Sequence, residues 1–138
     1  MLKQVGVIVA LLALSVAGAS AQQGQTVKEL LTTSTTVAGT PLKYPAGTPK
    51  FTAALSTLEP GGTTPRHMHP VPTFIYVVEG TLAVDVDGGV TREVKAGEAF
   101  MEVVDTWHRN RNPSSAARVQ YLLVFAADDK TPYVVRAK

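Results

Sequence analysis

After residue 50, short apolar runs alternate with polar turn signals, and no stretch repeats its apolar positions at the spacing of an α-helix. The clearest strand candidate runs from Thr73 to Glu79, because β-branched and aromatic residues fill all of it except the last position. Turn residues follow at Gly80 and at Asp87-Gly88-Gly89. The pattern predicts an all-β sandwich or small barrel of short antiparallel strands.

The same reading places the remaining elements along the chain. Residues 27–31 could form one turn of helix or lead into a strand, and residues 39–50, which are rich in proline and glycine, are predicted to be a loop. No internal repeat or second domain is visible. The predicted strands are residues 32–37, 51–58, 73–79, 81–86, 90–94, 98–104, 107–111, 118–126 and 131–135.

The first segment predicts export. Lys3 precedes an almost wholly apolar run over residues 5–17, and Ala19-Ser20-Ala21 has the small-x-small form of a signal-peptidase site. A membrane anchor is the alternative, but the apolar run is shorter than the ~18 residues that span a bilayer. We expect a signal peptide of residues 1–21 and a periplasmic or secreted single domain of residues 22–138. The chain contains no cysteine, which excludes disulfides and a lipid-modified cysteine anchor.

Charge adds little to this picture. Without Lys3 the chain carries twelve basic and eleven acidic residues, so the mature protein is nearly neutral. Arg109 and Arg111 form no basic patch of the kind that binds nucleic acids. We therefore expect no nucleic-acid partner, and we expect no membrane contact once the signal peptide is removed.

The candidate chemistry lies in three histidines, which are all that the chain contains. His67 and His69 are separated by one residue, and side chains at positions i and i+2 of a strand share a face. Two convergent imidazoles suit a transition metal. His108 is far enough along the chain for a further strand pair to return it to the same point.

These residues also form two spaced motifs. Gly61, five residues later the His67-Met68-His69 group, and then Gly80 match the first motif of the cupin superfamily, while Gly97, His108 and Asn112 match the second. The chain therefore resembles a small single-domain cupin. The resemblance implies a double-stranded β-helix (jelly-roll) barrel with its core over about residues 51–126. It also implies a divalent transition metal held by the three histidines, with Mn, Fe, Zn, Ni and Cu all open.

Two departures from the motifs matter. Thr73 occupies the position of the acidic ligand in the first motif, and Val103 and Asp105 replace a proline and a glycine of the second. Thr73 shares the parity of His69, so its hydroxyl could hydrogen-bond a metal-bound water. Glu102 is the better candidate for a fourth ligand, provided that a turn over residues 104–106 folds His108 back towards it. The alternative is that Glu102 points to solvent beside Arg109 or Arg111.

By strand parity Ile75 and Phe100 could line the pocket, and Trp107 lies beside His108 at the expected barrel mouth. No catalytic base or nucleophile can be identified. The resemblance suggests a metal-dependent enzyme with dioxygenase-like, isomerase or lyase chemistry; the alternatives are a non-catalytic barrel that binds a small molecule or sugar and a passive structural barrel. Small cupins often pair, so we expect a homodimer formed through sheet faces or through a swapped N-terminal strand at residues 32–37.

Overall fold

The computed structural model describes residues 24–138, so the predicted signal peptide and its cleavage site lie outside the described residues. Within this part of the chain no helix is long and apolar enough to cross a membrane. The strands are β1 (Pro49–Leu58), β2 (His67–Met68), β3 (Thr73–Glu79), β4 (Thr81–Val86), β5 (Val90–Lys95), β6 (Ala99–Met101), β7 (His108–Arg111), β8 (Val119–Asp128) and β9 (Val135–Arg136).

The strands form two antiparallel sheets. One has four strands in the order β1-β8-β3-β6, and the other has five in the order β5-β4-β7-β2-β9. Apart from the β4–β5 hairpin, sequence neighbours alternate between the two sheets, and the all-β prediction is confirmed. The apolar core includes fully buried side chains from both sheets, among them Ile75, Val77, Leu82, Val84 and Val119.

Alternation along β8 explains why this strand lies in the middle of its sheet. Val119, Tyr121, Leu123, Phe125 and Ala127 are buried, and each residue between them is only partly buried. A strand with this period of two presents one continuous apolar face to the core. β8 pairs with β1 over ten residues and with β3 on its other side, which fixes the register of both.

The structure agrees with most of the predicted strands. β3 and β4 have the predicted bounds, and β1, β5 and β7 differ from prediction by one or two residues at one end. β8 differs by one or two residues at both ends, and the last strand is Val135–Arg136 rather than residues 131–135. β6 is shorter than predicted and ends at Met101, since the chain then leaves the sheet to turn towards His108. Asn112 has the structural role expected of a turn residue, because its amide donates to the carbonyls of Leu58, Glu59 and Ala117.

The strand predicted over residues 32–37 is wrong, and residues 27–31 form neither helix nor strand. The threonine-rich run has strand propensity but no long partner. It makes one isolated bridge between Thr35 and Pro41, and Val37 donates a single backbone hydrogen bond to Met101 at the edge of β6. The loop between Thr36 and Thr40 turns the segment back on itself, so it cannot extend along the sheet.

Gly80 allows the chain to pass from one sheet to the other between β3 and β4. Its φ of 78° lies in the left-handed region, where only glycine is unstrained. A Cβ at this position would also lie 2.6 Å from the carbonyl oxygen of Arg118. Both features require glycine at this motif position.

Candidate metal centre

Two strands of the five-stranded sheet bring His67 and His108 together. His67 is the first residue of β2 and His108 the first residue of β7, and they are direct partners in the antiparallel register. Direct partners place their side chains on the same face of a sheet. The centres of the two imidazole rings are accordingly 4.3 Å apart.

His69 reaches the same point from just beyond the end of β2. It forms a parallel bridge with Val104, and its carbonyl oxygen accepts a hydrogen bond from the Asp105 amide at 2.9 Å. All three histidines are buried, and one candidate ligand atom from each lies within 4.8 Å of the other two. His67 and His69 therefore converge as their spacing predicts, and the three histidines together could hold a metal ion.

Backbone carbonyls fix which nitrogen of each ring faces the centre. A carbonyl oxygen can only accept a hydrogen bond, so an Nδ1 atom beside it carries the proton and Nε2 keeps its lone pair. Such contacts orient metal-binding histidines. The Nδ1 atoms of His67, His69 and His108 lie 2.8, 2.7 and 2.9 Å from the carbonyl oxygens of Pro65, Tyr133 and Thr106, respectively.

Glu102 completes the cluster. Its side chain is fully buried, with Oε2 at 3.2 Å from Nε2 of His69 and Oε1 at 3.2 Å from Nε2 of His108. The hypothesis that Glu102 points to solvent beside Arg109 or Arg111 is therefore wrong, and Arg111 pairs instead with Asp85 at 3.0 Å. Burial of an ionised carboxylate is costly unless cationic or hydrogen-bonding partners surround it.

The turn that returns His108 to Glu102 uses an unusual backbone conformation. Asp105 has a φ of 51°, the only positive value outside glycine in the described residues. It occupies the motif position where the family has glycine, and aspartate tolerates the left-handed region better than most side chains. The loss of the motif's glycine is therefore compatible with the fold-back that the site needs.

The cluster contains unpaired electron donors. Nε2 of His69, Nε2 of His108 and both carboxylate oxygens of Glu102 are buried without a hydrogen-bond partner. With neutral rings the two 3.2 Å contacts bring acceptor against acceptor, so a proton or a cation must lie among these atoms. Three imidazole nitrogens and one carboxylate are a donor set that divalent transition metals accept, and the residues present fit such an ion.

Without a metal ion, protons take the cation's place. Burial raises the pKa of Glu102, but protonated imidazoles of His108 and His69 would hydrogen-bond the carboxylate and attract its charge, and these contacts hold its pKa well below the usual range. Burial lowers the pKa of His108, yet the contact with Glu102 outweighs it and the net shift is upwards. For His67 burial is the largest effect, and its pKa is lowered. The shifts of Glu102 and His108 both favour a positive charge beside the carboxylate, which a metal ion would also supply.

Thr73 and Glu102 are cross-strand neighbours. Phe74 pairs with Met101, which sets Thr73 opposite Glu102, and the Glu102 amide donates to the Thr73 carbonyl oxygen at 2.9 Å. Both side chains are fully buried. The Thr73 hydroxyl donates to the Val71 carbonyl oxygen at 3.2 Å. The carboxylate missing from β3 is thus present on the segment that follows β6, directly across from the vacated position.

A cavity of about 180 Å³ opens beside the histidines. Ile75 and Phe100 do not line it, since both are buried in the hydrophobic core. Trp107 also lies outside the lining, and its ring packs under the Arg66 guanidinium at 4.6 Å. The cavity is lined by Ser56, Thr64, Pro65, His67, His69, Asn110, Tyr121, Leu123, Phe125, Tyr133, Val134 and Arg136.

Sequence reasoning missed three parts of this site. The carbonyls that orient the histidines left no signal, because any residue type supplies one. Asn110 could have been found, since it follows His108 by two residues on the same strand and therefore shares its face. The residues after β8 were expected only as an edge strand, yet Tyr133, Val134 and Arg136 form part of the cavity wall.

Comparisons with known proteins agree with the fold. A family model described as "Cupin domain" matches residues 54–125. The polyketide synthase CurC of Streptomyces cyaneus is 42% identical over 59 residues, which cover 42% of this chain and 38% of that protein. The polyketide cyclase RemF of Streptomyces resistomycificus aligns with a TM-score of 0.54 at 26% identity, covering 67% of this chain and 63% of that one.

An oxalate oxidase structure in complex with the substrate analogue glycolate aligns with a TM-score of 0.53 at 27% identity, covering 63% of this chain and 46% of that one. The chain thus spans well under two thirds of the curated relative and of this oxidase. The likeness extends to the barrel and its motifs, and the activities of these proteins belong to them.

Proposed function

This chain belongs to the cupin family, and from that premise we propose that it binds one divalent transition metal ion through His67, His69, His108 and Glu102 as a metal-dependent enzyme acting on a small organic substrate. The observation that carries the proposal is the set of buried, unpaired lone pairs on two imidazoles and one carboxylate. Their removal from water is compensated when a cation binds among them.

The protein's own groups prepare this site in three ways. Backbone carbonyls hold the Nε2 atoms inward, burial removes competing water, and Glu102 offsets one of the ion's two positive charges. When bound, the ion supplies Lewis acidity, and a redox-active ion would also supply electron transfer. The donor set accepts Mn, Fe, Zn, Ni or Cu.

Catalysis is supported by the relatives whose names describe enzymes, an oxalate oxidase and a polyketide cyclase, at 27% and 26% identity. Dioxygenase-like, isomerase and lyase chemistry all remain within the proposal, because fold and metal do not select a reaction. The missing carboxylate at Thr73 and the export signal also fit the alternative of a non-catalytic small-molecule or sugar-binding barrel. Glu102 supplies a carboxylate across the strand pair, which favours the enzyme.

Elemental analysis of the purified chain of residues 22–138 tests the metal. We expect one transition-metal ion per chain after incubation with Mn, Fe, Zn, Ni and Cu in turn. Affinity should weaken as the pH falls below about 6.5, because ligating nitrogens must be unprotonated. The raised pKa of His108 extends this loss to somewhat higher pH. Protein that holds none of these metals at pH 8 would contradict the proposal.

We also propose that the protein acts outside the cytoplasm. Lys3, the apolar run of residues 5–17 and Ala19-Ser20-Ala21 support removal of residues 1–21 during export. The intact mass of the native protein should correspond to a chain that begins at Gln22. Exported material that retains Met1 would contradict this.

A homodimer is supported by the outer face of the four-stranded sheet. β1 is an edge strand, and its Phe51 and Leu55 point outwards with 71% and 60% of their surface exposed. Exposed apolar edge strands are surfaces that a partner covers. We expect a dimer mass by light scattering at micromolar concentration, and Leu55→Glu should produce monomer. The matched control is Arg109→Glu on the opposite sheet, which should remain dimeric; a monomeric unmutated protein would contradict the dimer.

A further inference from the structure

Asn110 places an unused hydrogen-bond acceptor in the wall of the cavity. It follows His108 by two residues on β7, so the two side chains share the inward face. Only 1% of its surface is exposed, and its Oδ1 atom has no hydrogen-bond partner. An orphaned buried acceptor destabilises a protein, which suggests that a ligand supplies the missing donor.

Tyr121 provides a donor on the facing sheet. It is 2% exposed on β8 and pairs directly across the strands with Ser56 of β1; both side chains line the cavity. Burial raises the pKa of Tyr121, and although side-chain hydrogen bonds with Ser56 and Asn110 lower it, the net shift is upwards. The phenol therefore keeps its proton at neutral pH. A hydroxyl group can donate to Asn110 and accept from Tyr121 at the same time.

The cavity favours negative charge. Arg136 of β9 is its one arginine, and no carboxylate side chain lines the cavity within the described residues. Arg66 and Arg111 are paired with Asp87 and Asp85, whereas no ion pair in this part of the chain includes Arg136. A divalent ion beside Glu102 would leave a further positive charge nearby.

We propose that this cavity binds a small organic anion that carries a hydroxyl group. Asn110 Oδ1 accepts the ligand's hydroxyl hydrogen, the Tyr121 hydroxyl donates to the ligand's oxygen, and Arg136 pairs with its carboxylate. The volume of about 180 Å³ is large enough to admit a hydroxy acid of a few carbons. This inference rests on the proposed function, because the ligand lies beside the metal.

Three probes of similar size test the hydroxyl and the charge separately. Lactate has both groups, propionate lacks the hydroxyl, and 1,2-propanediol lacks the charge. By calorimetry on metal-loaded protein of residues 22–138, we expect lactate to bind about tenfold more tightly than either of the others. Tyr121→Phe and Asn110→Leu should remove the preference over propionate. Arg136→Gln should weaken the preference over the diol, while the charge of the metal ion keeps part of it. Tyr76→Phe, on the outer face of β3, and Arg109→Gln, which is exposed on β7, are controls that should keep both preferences.

Lactate can also chelate a metal ion, and the variants separate that cause. A hydroxyl preference that survives in both Tyr121→Phe and Asn110→Leu would overturn the proposal, as would equal binding of all three probes or no binding of lactate at millimolar concentration. Metal content is measured on the same samples. Protein that holds no metal contradicts the proposed function. Metal-loaded protein that binds lactate and propionate with equal affinity contradicts this inference alone.

Discussion

Replacing His108 by alanine is expected to weaken metal binding about a hundredfold. Sites with four protein ligands bind zinc with about 10–16 kcal/mol, so each ligand contributes roughly 3 kcal/mol, or about hundredfold in affinity. His108 also contacts Glu102 Oε1 at 3.2 Å, and its removal leaves that oxygen with neither a ligand partner nor a proton. Elemental analysis after dialysis against a fixed concentration of free metal gives the measurement.

The matched control is Arg109→Ala, which changes the next residue of β7 on the exposed face. It should keep the metal content of the unmutated protein. Circular dichroism should show a folded barrel for both variants, since the apolar core is formed mainly by side chains outside the histidine cluster. An unchanged metal affinity in His108→Ala would mean that the ion is held elsewhere.

The local sequence pattern was sufficient to predict strands whose bounds and buried face depend on their own residues alone. β3 and β4 have the predicted bounds because β-branched residues fill them and turn residues end them. The convergence of His67 and His69 follows from the period of two alone. That His108 lies beside the other two histidines could be predicted only from the resemblance to the cupin motifs, since nothing in the local sequence shows that β7 pairs with β2.

The sequence pattern gave wrong predictions where the structure of a segment depends on the element that packs against it. Residues 32–37 have strand propensity, but β6 is only three residues long and offers them a single carbonyl. Ile75 and Phe100 have inward parity as predicted, but an inward side chain can face the core as readily as the cavity. Tyr121 lies in the cavity wall opposite Ser56, because β8 pairs with β1. This long-range pairing cannot be predicted from the local sequence.

Glu102→Gln is expected to weaken metal binding about a hundredfold, by the same ligand arithmetic as above. Without metal the variant should lose stability near neutral pH, because the folded state lowers the pKa of Glu102 and therefore favours its ionised form. A loss of stability without a loss of metal affinity would identify Glu102 as a structural group rather than a ligand. Titration calorimetry and thermal unfolding with a chelator measure the two.

Moving the carboxylate back across the strand pair tests the geometry itself. Thr73 and Glu102 are direct neighbours, and such partners have Cα atoms about 4.5–5.5 Å apart, a distance that a glutamate side chain can span. The double variant Thr73→Glu with Glu102→Thr should therefore bind metal within about tenfold of the unmutated protein, while Glu102→Thr alone loses about a hundredfold. If the double variant binds no better than Glu102→Thr, position 73 cannot supply the ligand. A carboxylate would then be able to bind the metal from position 102 but not from the neighbouring strand.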